Sequence, residues 1–221
     1  MIKHIIFDAF GTLLAVEKGA FANAVLAVLK NNRISIDETA FHREWKSFYA
    51  QATSSSVFQT ERAIFTNRIQ YFLDPYHLSA SSEKMVDEAL HIACNRSTYP
   101  DVLPLLHLLS HHYSLSIASN TDNMVIETVL KRQPLPVRSV FTSEDLRCYK
   151  PSTAFYHKIL NQLQCDPSQC LFVGDSYEED VYGPCSAGMH AVLLNRTETH
   201  IFPCPSIQTL LDLPKLIAVI E

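Results

Sequence analysis

Residues 4–14 read HIIFDAFGTLL. Ile5, Ile6 and Phe7 are apolar and partly β-branched, the composition of a buried strand. The run ends on a single carboxylate, Asp8, followed by Phe10, Gly11 and Thr12. A strand running straight into a glycine-containing turn is how an open α/β sheet presents side chains in the crevice at its carboxyl edge. Asp8 is therefore placed to bind or to react, and the phenyl ring of Phe10 two residues on limits which reactions are open to it.

Outward from this strand, taken as Lys3–Phe7, the pattern turns helical and stays so to about Cys94. Ala20–Lys30, Glu38–Gln51, Thr60–Phe72 and Ser82–Ala93 each carry apolar residues at three- and four-residue spacing. Asp37 and Ser81 are N-cap candidates, and Ala52–Ser56 reads as a loop. After Tyr99-Pro100 strand and helix alternate. Helices are expected at Val102–Leu109, Asn123–Arg132, Ser152–Leu163 behind Pro151, Glu178–Ala187 and Ser206–Ile220. Strands are expected at Ser114–Ala118, Val137–Thr142, Gln169–Gly174 and His190–Leu194. Such alternation predicts an α/β protein with a doubly wound parallel sheet, interrupted by an all-helical insert.

Bulk properties narrow the function. The 221 residues suffice for one full domain and a smaller second one. A net charge of −5 gives no basic face for nucleic acid, and no apolar run is long enough to cross a bilayer. The chain enters a strand almost at once, which leaves no room for a signal peptide, so a cytoplasmic protein is expected. Six scattered cysteines form no C-x-x-C pair and read as reduced structural thiols. His111-His112 reads as a surface pair at a helix end.

Four places just past strand ends carry the chemistry: Asp8 with Thr12, Ser119-Asn120, Lys150-Pro151, and Gly174-Asp175-Ser176 with Asp180 beyond. Singly each is ordinary, since an Asp after a strand is often a turn residue and a Lys-Pro pair a helix boundary. Jointly, on the one edge where parallel strands end, they make a phosphate or metal site. Asp8 is a competent nucleophile. Lys150 is suited to orient it, the hydroxyls of Thr12 and Ser119 to hold transferring oxygens, and Asp8 with Asp175 to hold Mg2+.

FDAFGTLL, SIASNTD, CYKP and VGDSYEED resemble, in order, the four motifs of the haloacid dehalogenase-like (HAD) hydrolase superfamily, from Phe7 to about Asp180. The resemblance implies a Rossmann-like core, residues 1–14 and 98–221, with a helical cap at 15–97 inserted after the first motif. It also implies that Asp8 is the nucleophile, that Thr12 and Ser119 bind substrate oxygens beside Asn120, and that Lys150 pairs with Asp8. Asp8, Asp175 and the Phe10 backbone carbonyl would hold magnesium, with Asp180 in its outer shell.

Against that pattern the chain is a hybrid. Phosphatases of the superfamily place a second aspartate at the position of Phe10, and a phenyl ring cannot do general acid–base work. An aromatic residue there resembles the L-2-haloacid dehalogenases, as does Tyr156. REWKSFY, residues 43–49, resembles their cap but carries Lys46 where they have an arginine, which loses a bidentate fork. VGDSYEED is the acidic, magnesium-binding form of the last motif. The expected function is a Mg-dependent hydrolase of a small phosphorylated or similarly anionic metabolite, through an aspartyl intermediate. Phe10, Lys46 and Tyr156 are expected at the substrate, and the chain to act as a monomer or homodimer. The alternatives are metal-free hydrolysis of a carbon–halogen bond and a catalytically idle binding protein. Arg43, Trp45, Lys46 and Tyr49 are the residues expected to face the cleft; as ordinary helix positions, the two aromatics would be core and the two cations solvated.

Overall fold

The computed structural model describes residues 1–17, 19–78, 82–196 and 202–220. β1 (His4–Phe7) lies in the middle of the sheet, paired in parallel with β2 (Ser114–Ser119) on one side and β4 (Cys170–Gly174) on the other. Beyond β2 runs β3 (Ser139–Thr142), and beyond β4 run β5 (His190–Leu194) and β6 (Ser206–Ile207). The order is β3-β2-β1-β4-β5-β6, parallel throughout. Because the winding reverses between β1 and β4, the crevice of the sheet opens where Asp8 and Asp175 leave their strands.

The two-residue period of the strands fills two cores. Ile5, Phe7, Leu171 and Val173 pack with α5 (Val102–Ser110), α6 (Asn123–Arg132) and α10 (Leu213–Ile220). Ile6, Cys170 and Phe172 pack on the opposite face against Phe155, Tyr156 and Ile159 of α8 (Thr153–Leu163). Each fully buried Ile or Phe here stabilises the fold by about 1.5–3 kcal/mol.

Between β1 and α5 the chain builds four helices: α1 (Ala20–Asn31), α2 (Glu38–Thr53), α3 (Glu61–Leu73) and α4 (Ser82–Cys94). Val25, Leu29, Phe41, Trp45, Ile69, Phe72, Val86 and Leu90 close their own core. Asp37 caps α2 by accepting the N–H groups of Thr39 and Ala40. Ser81 lies outside the described residues. α2 absorbs Ala52 and Thr53 from the expected loop, and within its last turn the Thr53 hydroxyl donates to the Tyr49 carbonyl. No described helix is long and apolar enough to cross a membrane.

Two expectations fail. Ser206–Ile220 is not one helix: Ser206 and Ile207 extend beside Leu193 and Leu194 as β6, and a 3-10 turn at Leu210–Asp212 precedes α10. The Thr209 hydroxyl and Leu210 N–H are both held by Asp101, which fixes this break. Glu178–Ala187 is likewise divided, into a π-helical turn, Tyr177–Tyr182, and a short α9, Gly183–Ser186. Pro184 has no N–H to offer the Asp180 carbonyl, so the α-helical ladder is broken there. A short α7 (Ser143–Leu146) follows β3.

Candidate active site

Asp8 is the first residue past β1, its N–H donating to the Val173 carbonyl at 2.9 Å. The β1–β4 pairing thus continues one residue further and fixes where the carboxylate stands. Lys150, on the loop between α7 and α8, donates from Nζ to Asp8 Oδ1 at 2.7 Å and to Asp180 Oδ1 at 2.7 Å. All three side chains are buried. The second oxygen of Asp180 accepts the Ser176 N–H at 2.9 Å. The second oxygen of Asp8 is buried without a hydrogen-bond partner.

Asp8, Asp175 and Asp180 each bring one carboxylate oxygen within 4.8 Å of the others. Burial pushes Asp8 up to about 8; Asp180 and Asp175 add to this, against the pull of Lys150. Burial works to discharge Lys150, but Asp180 and Asp8 outweigh it and hold the ammonium well above its ordinary value. Three acids against one ammonium leave an excess of negative charge, and an all-oxygen donor set of this kind fits a hard divalent cation such as magnesium. The glycines keep the cluster this tight. A Cβ on Gly11, whose φ is +100°, would stand 2.6 Å from both Asp175 oxygens, and one on Gly174 would stand 2.2 Å from Asp180 Cγ.

The other expected residues divide. Thr12 is fully buried with its hydroxyl unpartnered, while its carbonyl accepts Arg196 Nη2 at 3.0 Å. Ser119 is buried at the end of β2, in register with Thr142. Asn120 braces the lysine loop: its side-chain oxygen accepts the Lys150 N–H at 2.8 Å, and its amide donates to the Lys150 carbonyl and to Glu179 Oε2, each at 3.2 Å. Tyr156 lies wholly within the core, its hydroxyl donating to the Glu179 carbonyl. Phe10 is half-buried and packs against both the sheet core and the helical core, so its ring fills the seam between them.

Above the carboxylates a cleft runs between the helical insert and the sheet edge. Trp45, Lys46, Tyr49 and Arg68 line it from the insert, and Lys150, Ser176 and Glu179 from below. Of the four cleft candidates on α2, Trp45, Lys46 and Tyr49 border it; Arg43 is exposed and is not among the residues that line it. Trp45 is at once core and wall, 7% exposed.

Two residues here, Arg68 and Glu61, escaped the sequence reading. Arg68 on α3 is 6% exposed, with its guanidinium 4.0 Å above the Trp45 ring centroid. Its sequence signal was available: Ile64 and Phe72, four residues to either side, put position 68 on the apolar face of the helix. Glu61 accepts the Tyr49 hydroxyl at 2.8 Å, and burial pushes its carboxyl up to about 8. Glu179 is raised to about 7, chiefly by burial.

The family model described as haloacid dehalogenase-like hydrolase matches residues 2–188. The chain is 25% identical to (S)-2-haloacid dehalogenase 4A of Burkholderia cepacia, over 88% of this chain and 84% of that one. It is 24% identical to a glyceraldehyde 3-phosphate phosphatase of Methanopyrus kandleri, over 89% of this chain and 85% of that one. Among solved structures, YfnB from Bacillus subtilis bound to magnesium superposes with a TM-score of 0.76 at 18% identity, covering 98% of this chain and 99% of its own.

Proposed function

The chain belongs to the haloacid dehalogenase-like hydrolase family, and within it we propose that this protein is a magnesium-dependent hydrolase of small phosphorylated metabolites, acting through an aspartyl-phosphate on Asp8. The observation that carries the reading is the cluster of Asp8, Asp175 and Asp180, of which Asp8 and Asp180 are buried on a single ammonium, Lys150. Displacement of a halide from carbon calls for no cation, whereas phosphoryl transfer uses one, held by such acids, to offset charge on its oxygens.

Asp8 Oδ1 is held by Lys150, which leaves Oδ2 to attack. A new bond forms from that oxygen to phosphorus as the bond from phosphorus to the alcohol oxygen breaks. Water then attacks the phosphorus of the aspartyl-phosphate, freeing phosphate and restoring the carboxylate. The hydroxyls of Thr12 and Ser119 hold non-bridging oxygens. Asn120 acts on Lys150, fixing its backbone from both sides. Asp8 and Asp175, with the Phe10 carbonyl, would hold magnesium; Asp180, both of whose oxygens are engaged by Lys150 and Ser176, acts through them. When bound, the cation offsets charge on the phosphoryl oxygens. Residues 15–97 act as the cap that closes over the substrate.

Phe10 offers no proton to the departing oxygen, so esters of acidic alcohols and acyl phosphates are the preferred substrates. Phe10 is also the observation favouring a second reading, 2-haloacid dehalogenation, in which Asp8 attacks carbon and a halide leaves unprotonated. The deciding experiment is 4-nitrophenyl phosphate hydrolysis in magnesium and in chelator, with Asp8→Asn as control. Magnesium-dependent turnover abolished by the substitution supports the phosphatase reading. Its absence, with halide release from 2-haloacids, replaces it by the second.

A further inference from the structure

Arg68 lies in the cleft wall with no task in the proposed chemistry. Its side chain reaches the cleft wall from α3 and is held in an aromatic box: Trp45 at 4.0 Å, Tyr49 and Phe65 at 5.2 Å, Phe21 at 5.9 Å from the guanidinium carbon. Its single hydrogen bond among the described residues is a long one, Nη1 to the Trp45 carbonyl at 3.5 Å, and Nε is buried with no partner. No carboxylate of the described residues pairs with it within 4.0 Å. Glu61, the carboxyl whose charge bears on it, is engaged by Tyr49, and burial pushes that carboxyl up to about 8, so it is largely neutral near pH 7. A buried guanidinium with no counter-ion is costly unless something else supplies one. Stacking holds the planar fork rigid at the cleft wall, the form in which a guanidinium meets an anion best.

We propose that Arg68, with Lys46 at the rim, forms a second anion subsite in the roof of the cleft, so that the substrate carries a carboxylate or phosphate distinct from the group that reacts at Asp8. This rests on the reading above only in taking the same cleft as the substrate site. It makes the substrate a small doubly anionic molecule whose far end is gripped by the fork of Arg68 while its near end reaches Lys150 and Asp8. The apolar wall of Trp45 and Tyr49 covers the short carbon chain between.

Trp45 is the chain's single tryptophan, so its emission reports on the guanidinium stacked against it. The test is a fluorescence titration in chelator with malonate and inorganic phosphate, against uncharged malonamide at matched ionic strength, in wild type, Arg68→Lys and Arg68→Met. A saturable response to the anions alone, weakened about ten- to a hundred-fold in Arg68→Lys, is expected from loss of a charge-assisted fork. Arg68→Lys keeps the stem and charge, and its far-UV circular dichroism establishes that it folds. A wild-type response absent, or equally strong in a folded variant, overturns the proposal; a purely structural Arg68 gives one of these results. The two readings fail separately. Arg68-dependent binding without phosphate turnover keeps the subsite and removes the phosphatase, whereas turnover without Arg68-dependent binding does the reverse.

Discussion

Lys150 Nζ stands 2.7 Å from Asp8 Oδ1 and equally far from Asp180 Oδ1, so one buried ammonium serves a carboxylate at the end of β1 and another in the π-helical turn after β4. Lys150→Met would leave both acids buried without a counter-charge. A loss of about 3–5 kcal/mol in stability is expected from breaking such a pair, and of about 10²–10³ in kcat from removing a preorganised charge beside the reacting oxygens. Urea unfolding of Lys150→Met and of the double variant with Asp8→Asn checks it. The double variant should regain part of the loss, because one of the two orphaned acids is gone.

Glu61 gives a pH dependence with a definite sign. Its carboxyl titrates at about 8 in the folded chain and near its ordinary 4.5 when unfolded. The folded state therefore holds the proton longer. The stabilisation is complete below about pH 4.5 and is lost as pH rises through about 8. Glu61→Gln should flatten that dependence, losing little at pH 5 and gaining roughly a few kcal/mol relative to wild type at pH 9. Unfolding midpoints at the two pH values decide it; parallel curves for both proteins would refute the assignment.

Magnesium should stabilise the folded chain, since a ligand bound by the native state alone raises the unfolding midpoint as its concentration grows. Gly11→Ala is expected to abolish that shift. The new methyl would stand 2.6 Å from the Asp175 oxygens on a backbone with φ of +100°, so the carboxylate must move. Thermal melts of wild type, Gly11→Ala and Asp175→Asn across a magnesium series test it, with a shift retained in Asp175→Asn as the contrary result.

Asp122 ties the insert to the sheet. From the N-terminus of α6 its carboxylate accepts the backbone N–H groups of Glu61 and Arg62 at 2.7 and 2.8 Å, capping α3 across sixty residues of chain. Tyr149 adds a bond to the Gln59 carbonyl. Asp122→Ala should cost about 1–2 kcal/mol, the worth of a lost helix cap. It should also speed proteolysis between α2 and α3 while sparing the sheet. Uniform proteolysis along the chain would show that the contact is not a local latch.

What the sequence disclosed follows from how local each signal is. Asn123–Arg132 and His190–Leu194 were legible to the residue, because their periodicity is set within the segment and tertiary packing agrees with it. Asp8, Lys150, Asp175 and Asp180 were legible as a set because parallel topology brings strand ends to one edge whatever the details. β6 was not: two residues carry no period, and only the edge of β5 makes them a strand. Arg68 was passed over because its cost is hidden until Trp45, from another helix, is seen beneath it. Asn120 and Tyr156 read as substrate residues and in the structure hydrogen-bond to Lys150 and Glu179, because bracing a loop and contacting substrate demand the same residue types.

Phe10 joins both halves of the problem, because its ring fills the seam between the sheet core and the helical core. Phe10→Asp should therefore act in two directions at once. Loss of a half-buried ring at the seam is expected to cost about 2–3 kcal/mol, below the full range for a core phenylalanine. The new carboxyl, two residues from the nucleophile, should supply the missing proton transfer, which is typically worth about 10²–10⁴-fold. That gain must depend on the leaving group: large for alkyl phosphates, whose alkoxides need a proton, and small for 4-nitrophenyl phosphate. Plotting log kcat against leaving-group pKa for both proteins is the check. A steep slope in wild type that flattens in the variant would make the phenyl ring the substitute for a lost acid. Equal slopes would mean that Phe10 serves packing alone and that the proton reaches the leaving oxygen by another route.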